Sequence, residues 1–338
     1  MTDFYTAWLA RSAALDVAMR GTPIVARGRE LRWLETVQDT RTAMVIGEAA
    51  GFETSGTALV QSEIPAGWRT GRHIHGEEAI YILAGTGFSV IDGLRYDWKP
   101  GTTLHIPYRA DHQHVNTGPA TAVYLSAHTH DLDFAVKLGR LEQLEEKRED
   151  RGELAARHPA QMSQLAPDGR RIALHPEDAL DERARRLAGH AHPNPEADKG
   201  ANRHAGIWIL MGGSESPSDE TNGFRARSAS ISNIFEESPH SSSHRHTHTE
   251  AMLYVLEGRG YSLIDNERYD WEAGDAVHVP PRMTLHEHLN DSDARTRTLR
   301  IEFGIRYFYE SIWHGYEKVK DRTEGHSRAK EEGNHRHA

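Results

Sequence analysis

Residues 73–107 read HIHGEEAIYILAGTGFSVIDGLRYDWKPGTTLHIP, and residues 246–280 read HTHTEAMLYVLEGRGYSLIDNERYDWEAGDAVHVP. The offset is 173 at every position (246 − 73), with no gap. Gly85 falls on Gly258, Gly87 on Gly260 and Asp92 on Asp265. The RYDW block Arg95–Trp98 falls on Arg268–Trp271, His105 on His278 and Pro107 on Pro280. One residue is then inserted, and HQHVN at 112–116 matches HEHLN at 286–290. Upstream, AMVIGEA around Met44 resembles IWILMGG around Trp208, which carries the repeat further back. One structural unit has been used twice.

The repeated unit reads as β. Runs such as AIYILAG and MLYVLEG are rich in β-branched and aromatic residues, and glycine-bearing turns bound them at short intervals. Asp92-Gly93 and Asp265-Asn266 are hairpin signals. Many short, evenly spaced strands predict a sandwich or barrel in each copy. The RYDW blocks read as turn and strand packing, Tyr81 and Tyr254 as core, and Asn116 and Asn290 as turn holders.

Around the repeats the composition changes. Residues 2–20 predict a helix with Phe4, Trp8, Leu9, Leu15 and Met19 on an apolar stripe for packing or dimerisation. Residues 133–160 are charged and rich in helix formers, so one or two helices outside the barrels are expected there. The segment from Ala191, AHPNPEADKGANRH, reads as a linker, and HSRAKEEGNHRHA at the end as a disordered tail. The expected organisation is an N-terminal helix and first barrel over 1–135, a charged helical linker over 136–200, a second barrel over 201–325 and a tail over 326–338.

With 338 residues, two domains are the natural expectation. The net charge of −10 argues against nucleic acid and anionic membrane surfaces, which need clustered basic residues. No secretory signal or membrane-length apolar run is legible, so a cytoplasmic location is expected. There is no cysteine, so any metal must take nitrogen and oxygen ligands. The chain has 23 histidines, a residue whose special uses are metal ligation and proton transfer.

Each copy holds a His-x-His pair, His73/His75 and His246/His248. Residues i and i+2 of a strand face the same way, so both imidazoles can reach one ion about 2.0–2.2 Å away. A third histidine follows some forty residues later, His112 or His286, after a glycine turn and a proline. Surface histidines that merely alternate would not recur with a third at matching spacing. Three ligands on rigid strands leave open positions, the arrangement of a catalytic metal site. In copy two, His244-Arg245-His246 is also a His-x-His pair; the repeat register favours His246 and His248.

The pattern resembles the two motifs of the cupin superfamily. Gly67, His73, His75, Glu78 and Gly85 follow the first, G-x5-H-x-H-x3or4-E-x6-G, with only two residues between His75 and Glu78. Gly101, Pro107, His112 and Asn116 follow the second, G-x5-P-x-G-x2-H-x3-N, with Arg109 at the usual glycine. Copy two matches at Gly274, His286 and Asn290, with Pro281 at the proline spacing. The resemblance implies an all-β bicupin of two jelly-roll barrels, with helices at the N-terminus, between the barrels and near the C-terminus. It implies metal ligands His73, His75 and His112, and His246, His248 and His286, with Glu78 as an optional carboxylate. The equivalent of Glu78 is Ala251, and Glu250 is one residue off, on the other face of a strand.

The doublets His112-Gln113-His114 and His286-Glu287-His288 resemble those of gentisate- and salicylate-type ring-cleaving dioxygenases. That likeness implies His114 and His288 close to substrate, handling a proton. It implies Fe(II) as cofactor, with manganese, nickel, zinc and copper open, since imidazole suits them all. The implied partners are O2 and a small chelating anion such as a hydroxylated aromatic acid, on a homo-oligomer. A manganese decarboxylase or isomerase, or a non-catalytic small-molecule or metal-binding bicupin, is the alternative. Arg69, Arg72 and Arg109 are candidates for a substrate carboxylate, with a solvated surface place as the plainer reading. His105 and His278 read as barrel residues satisfied by their neighbours.

Overall fold

Each RYDW block is the return strand of a hairpin. Leu94–Trp98 pairs with Gly87–Ile91, and Glu267–Glu272 with Arg259–Ile264. The turn residues Asp92 and Gly93 have φ of 49° and 80°, and Asp265 and Asn266 have 50° and 71°. Two successive positive φ values are what a tight two-residue hairpin needs, and Asp, Asn and Gly tolerate them best. Tyr96, Trp98 and Trp271 are buried, and Arg95 pairs with Asp97 at 2.7 Å.

The structure, a computed structural model, describes residues 3–181, 204–212, 221–243, 245–312 and 317–320. The fold is mostly β, with antiparallel strands in four sheets, two to each barrel. In barrel one, one sheet runs in the order Ala173–Leu174, Thr103–Ile106, Glu78–Ala84, Ala122–His128, Ala58–Ile64, Arg41–Ile46. The facing sheet centres on Asp111–Asn116, flanked by Arg72–Ile74, Trp68–Arg69 and Gly87–Ile91. Barrel two repeats this with Ala251–Glu257, Thr296–Phe303 and Ala229–Glu237 in one sheet, and Thr284–Asn290, Arg245–His248 and Arg259–Ile264 in the other. The upstream extension of the repeat holds: Arg41–Ile46 pairs with Ala58–Ile64 as His204–Ile209 pairs with Ala229–Glu237.

The barrels are joined through their cores. One apolar cluster contains Leu59, Leu125 and Ala127 of barrel one together with Ile231, Met252, Leu299 and Phe303 of barrel two. Tyr81 and Tyr254 belong to this shared core. The segments that lead into the barrels are exchanged. Val25 pairs with Val277 of barrel two, and Ala173 pairs with Leu104 of barrel one.

Two buried carboxylates lock the same interface. Glu77 meets His105 Nε2 at 2.8 Å through one oxygen. Its other oxygen accepts from the backbone N–H groups of Arg227 (2.7 Å) and Ser228, and from the Ser228 hydroxyl at 3.0 Å. Glu250 meets His278 at 3.0 Å and accepts from the Ser55 N–H at 3.0 Å. Ser55 and Ser228 are themselves 173 apart (228 − 55), so the two latches are copies of one contact. Glu250 is thus turned away from its own barrel's triad, as the one-residue slip predicts.

The charged stretch after barrel one holds the expected one or two helices in short form, with strands between them. Helix is kept only at His130–Ala135 and Glu153–Arg157. Between them Glu142–Glu145 pairs with Arg72–Ile74, and Arg148–Glu149 with Trp68–Arg69. Helix propensities differ by under about 1 kcal/mol per residue, so pairing at an open sheet edge overrides them. Arg69 is buried, within 3.1 Å of Asp150 and 3.4 Å of Glu145, and holds this segment down. It is not a solvated surface arginine. Residues 182–200 of the expected linker and the tail 326–338 lie outside the described residues.

The N-terminal helix spans Phe4–Gly21 and is capped by Asp3, which accepts from Thr6 N at 3.0 Å. Of the expected stripe, only Met19 is buried; Phe4, Trp8, Leu9 and Leu15 are exposed. No helix among the described residues is long and apolar enough to cross a membrane.

Glu77→Gln keeps an acceptor but removes the charge that four donors of barrel two address. A charge-assisted contact of this kind is worth about 1.5–3 kcal/mol. A urea titration should show that loss of stability, with the native tertiary signal kept below the transition because the apolar interface is intact.

Candidate metal centres

Register builds the site in barrel one. His112 lies directly opposite His73 in the pairing of Asp111–Asn116 with Arg72–Ile74. Alternation places His75 on the same face as His73. His75 Nδ1 lies 2.7 Å from the Gly76 carbonyl oxygen, and His112 Nδ1 lies 2.9 Å from that of Ala110. A ring N–H donated there leaves each Nε2 as the free electron pair. The His73 and His112 Nε2 atoms are 2.7 Å apart, and ligand atoms of all three residues lie within 4.8 Å of one another. Two nitrogens about 2.1 Å from one ion, at right angles, would lie about 3 Å apart.

Glu78 completes this group. One Glu78 oxygen lies 3.4 Å from His75 Nε2 and 3.5 Å from His112 Nε2, is buried, and has no hydrogen-bond partner. The other accepts from the Ser126 hydroxyl. Burial raises the carboxyl, but the adjacent His112 and His75 imidazoles more than offset it and hold Glu78 well below its ordinary range. Burial likewise opposes charge on His75, yet Glu78 carries that imidazole above its usual value. A buried carboxylate oxygen without a donor is costly, and a divalent metal would satisfy it. The donor set therefore fits such an ion.

Barrel two repeats the triad. His286 lies opposite His246, and ligand atoms of His246, His248 and His286 lie within 4.8 Å of one another. His286 Nδ1 is 2.8 Å from the Thr284 carbonyl oxygen, and His248 Nδ1 meets that of Thr249. His286 Nε2 is buried and has no hydrogen-bond partner, again an electron pair suited to a metal. Burial holds His248 and His286 well below the usual imidazole value, so both are neutral ligand candidates. Ala251 supplies no carboxylate here. His244, the alternative to His248, lies outside the described residues.

The second histidine of each doublet faces the same interior. His114 Nδ1 is 2.7 Å from Ser89 Oγ, and His288 Nδ1 is 2.8 Å from Ser262 Oγ, at matching positions. His114 also lies close enough to Glu78 and His112 to join a metal group with them. Burial and then the neighbouring His112 lower His114 to about 3, so its ring is neutral across the physiological range.

Four residues of this interior were not singled out from the sequence. His130 packs against His75 with ring centroids 4.6 Å apart and stacks on His128 at 3.9 Å. Burial lowers His128 to about 4 and holds His130 neutral as well. The signal was available as a further His-x-His at 128–130, but no second copy marks it. Asp39 accepts from the Tyr124 hydroxyl at 2.9 Å, and nothing in the local sequence announces that contact.

Asp39 gives the centre a pH dependence. Burial, followed in order by the opposing Tyr124 hydrogen bond and the repulsion of Glu78, raises it from 3.8 to about 7. The folded chain then keeps a proton that the unfolded chain releases. Stability is full below about 4 and declines as pH rises through about 7. The shift sets an upper bound on the order of 4 kcal/mol. Chemical denaturation of metal-free protein between pH 4 and pH 8 should show this decline, and Asp39→Asn should flatten it.

The cupin domain family matches this chain twice, over residues 60–128 and 234–302. An uncharacterised protein of Methanocaldococcus jannaschii is 41% identical over 39 residues, which span 12% of this chain and 31% of that protein. Among solved structures, salicylate 1,2-dioxygenase from Pseudaminobacter salicylatoxidans superposes with a TM-score of 0.57 at 14% identity, over 83% of this chain and 80% of its own. A variant of oxalate decarboxylase from Bacillus subtilis does so with a TM-score of 0.57 at 15% identity, over 90% of this chain and 79% of its own. At such identities the likeness speaks to the fold, and both neighbours are enzymes. With each match falling on one copy of the repeat and each copy folded as a barrel around a histidine triad, the chain is a bicupin, carrying two cupin domains.

Proposed function

We propose that this bicupin is a metal-dependent oxidoreductase, a mononuclear non-haem Fe(II) dioxygenase acting on a hydroxylated aromatic acid or a related chelating anion. The observation that carries the reading is the pair of inward-facing triads, His73/His75/His112 and His246/His248/His286. Three imidazoles leave coordination positions for substrate and oxygen. They also leave a dication's charge uncompensated, which favours an anionic substrate. The likeness to salicylate 1,2-dioxygenase over most of both chains supports the same reading.

Iron held there would supply a path for electron density from chelated substrate to O2, both of whose atoms enter the product. The chain's own residues do the remaining work. The carbonyl contacts of His75, His112, His248 and His286 hold each ring in one orientation. Both triads are buried, which limits the water that can reach the reacting atoms. With Ser89 and Ser262 donating to Nδ1 of His114 and His288, each Nε2 would carry the N–H. That N–H is the group we assign to bind a substrate oxygen and to pass a proton.

A second reading is a metal-dependent decarboxylase working in barrel one, favoured by the Glu78 oxygen beside His75 and His112. Ala251 opposes it in barrel two.

Untagged protein should carry about one to two equivalents of transition metal per chain, and His75→Ala or His248→Ala should each remove about one. Iron-loaded protein should consume O2 when given gentisate or salicylate. CO2 released from oxalate with no net O2 uptake would favour the decarboxylase, and metal-free protein would overturn both readings.

A further inference from the structure

The bend after each His-x-His pair serves two places at once. In barrel one, His75 and Glu78 belong to the metal group, while Glu77 between them reaches His105 and the backbone of barrel two. In barrel two, His248 belongs to the triad, while Glu250 reaches His278 and the Ser55 N–H of barrel one. Both carboxylates and both of these histidines are buried. Charge-assisted hydrogen bonds in such surroundings are short and hold their partners in one geometry.

What each latch holds leads on to the opposite triad. Next to Ser55, the Gly56 carbonyl oxygen accepts from Leu132 N at 3.0 Å. The approach is close enough that a Cβ on Gly56 would collide with the Leu132 backbone. Leu132 belongs to the helix His130–Ala135, and its first residue, His130, packs its ring on His75 with centroids 4.6 Å apart. The run His248–Glu250–Ser55–Gly56–Leu132–His130–His75 thus joins one triad to the other by chain segments, hydrogen bonds and a ring contact.

The reverse run passes through equivalent places. Glu77 accepts from the Ser228 N–H, and the Ser228 carbonyl oxygen accepts from Gly304 N at 2.9 Å. Here a Cβ on Gly304 would collide with the Arg227 carbonyl. Gly304 opens the helix Gly304–Ile312, from which Arg306 holds Glu302 at 2.6 Å. Glu302 lies opposite Ala251, and Ala251 follows Glu250 in the segment that carries His248. Each centre is therefore backed by a helix whose first turn rests on a segment latched by the other centre's bend.

An ion that closes a triad fixes its bend, and fixing backbone costs conformational entropy. When one ion has ordered both latches and the helices they reach, the second ion meets less of that cost. The apolar cluster shared by the barrels is close-packed and transmits the constraint rather than absorbing it.

We propose that the two metal centres are coupled, so that an ion in one triad raises the affinity of the other through the Glu77 and Glu250 latches. The inference rests on the metal reading above and adds a control of occupancy to it. Where metal is scarce, a chain tends to be filled at both centres or at neither. Coupling is reciprocal, and about tenfold is expected within the usual range of roughly 5- to 150-fold.

The test follows Co(II) binding to full-length metal-free protein by its visible ligand-field spectrum, without substrate. His248→Ala gives the binding constant of barrel one alone, and His75→Ala that of barrel two alone. The product of the two stepwise constants of the unaltered protein should exceed the product of these single-site constants about tenfold. With Glu77→Gln and Glu250→Gln introduced together, the same ratio should fall to within about twofold of one, with two cobalt ions still bound. Hydrogen exchange decides the matter if that double variant does not fold. In His248→Ala, cobalt in barrel one should slow exchange of the Arg227 and Ser228 amides about tenfold, and in His75→Ala cobalt in barrel two should do the same at Ser55. A ratio of one in the unaltered protein overturns the coupling and leaves the metal sites standing. So does a ratio that survives loss of both latch charges, or exchange at these amides that cobalt leaves unchanged. No bound cobalt overturns the metal reading itself.

Discussion

The antiparallel pairing that sets His112 opposite His73, and His286 opposite His246, is the constraint on which both centres depend. Strand side chains alternate faces, so a slip of one residue would turn the third imidazole out of the barrel. Several features hold that register. The hairpins at Asp92-Gly93 and Asp265-Asn266 return the chain at a fixed length. Pairing of Asp111–Asn116 with Gly87–Ile91 also places His114 opposite Ser89, whose hydroxyl orients its ring. The same arrangement recurs as His288 opposite Ser262. A metal-ligand set and the group beside it are thus positioned by one ladder of main-chain hydrogen bonds.

The second organising feature is reciprocity between the barrels. Glu77 and Glu250 each lie two residues beyond a triad histidine, and each is anchored by backbone donors of the opposite barrel. The chain that carries His75 is therefore held partly by barrel two, and the chain that carries His248 partly by barrel one. The exchanged segments Val25–Ala26 and Ala173–Leu174 work in the same direction. Within this symmetric frame the interiors have diverged. Barrel one gathers Glu78, Ser126 and His128 around its triad, and barrel two places Ala251, Arg300 and Glu302 there.

Much of the site was legible because the repeat supplied its own control. The two triads, the hairpins, the role of Asn116 in accepting from and donating to its turn, and the outward slip of Glu250 all follow from spacing and strand alternation. Arg69 was not legible. An arginine in a two-residue strand gives no sign that Asp150, 81 positions away, will enclose it. The strands within the charged stretch after barrel one were not legible for a related reason: its helix propensity is weaker than the demand of an open sheet edge for a partner. The exposed Phe4 and Trp8 show the converse, an apolar stripe for which the described residues provide no cover.

The amino-acid sequence by itself determined the duplication, the β character of each copy and the identity of six candidate imidazole ligands, because local spacing dictates which strand face a side chain occupies. Tertiary structure alone decided what surrounds those ligands. Glu78 meets Ser126, and Ala251 is walled by Glu302 and Arg300, only through pairing between strands about fifty residues apart. Asp39 reaches Tyr124, and Glu77 reaches the backbone of the other barrel, over still longer separations. Burial and charge at the centres are sums over such distant neighbours, and no local pattern in the chain records them.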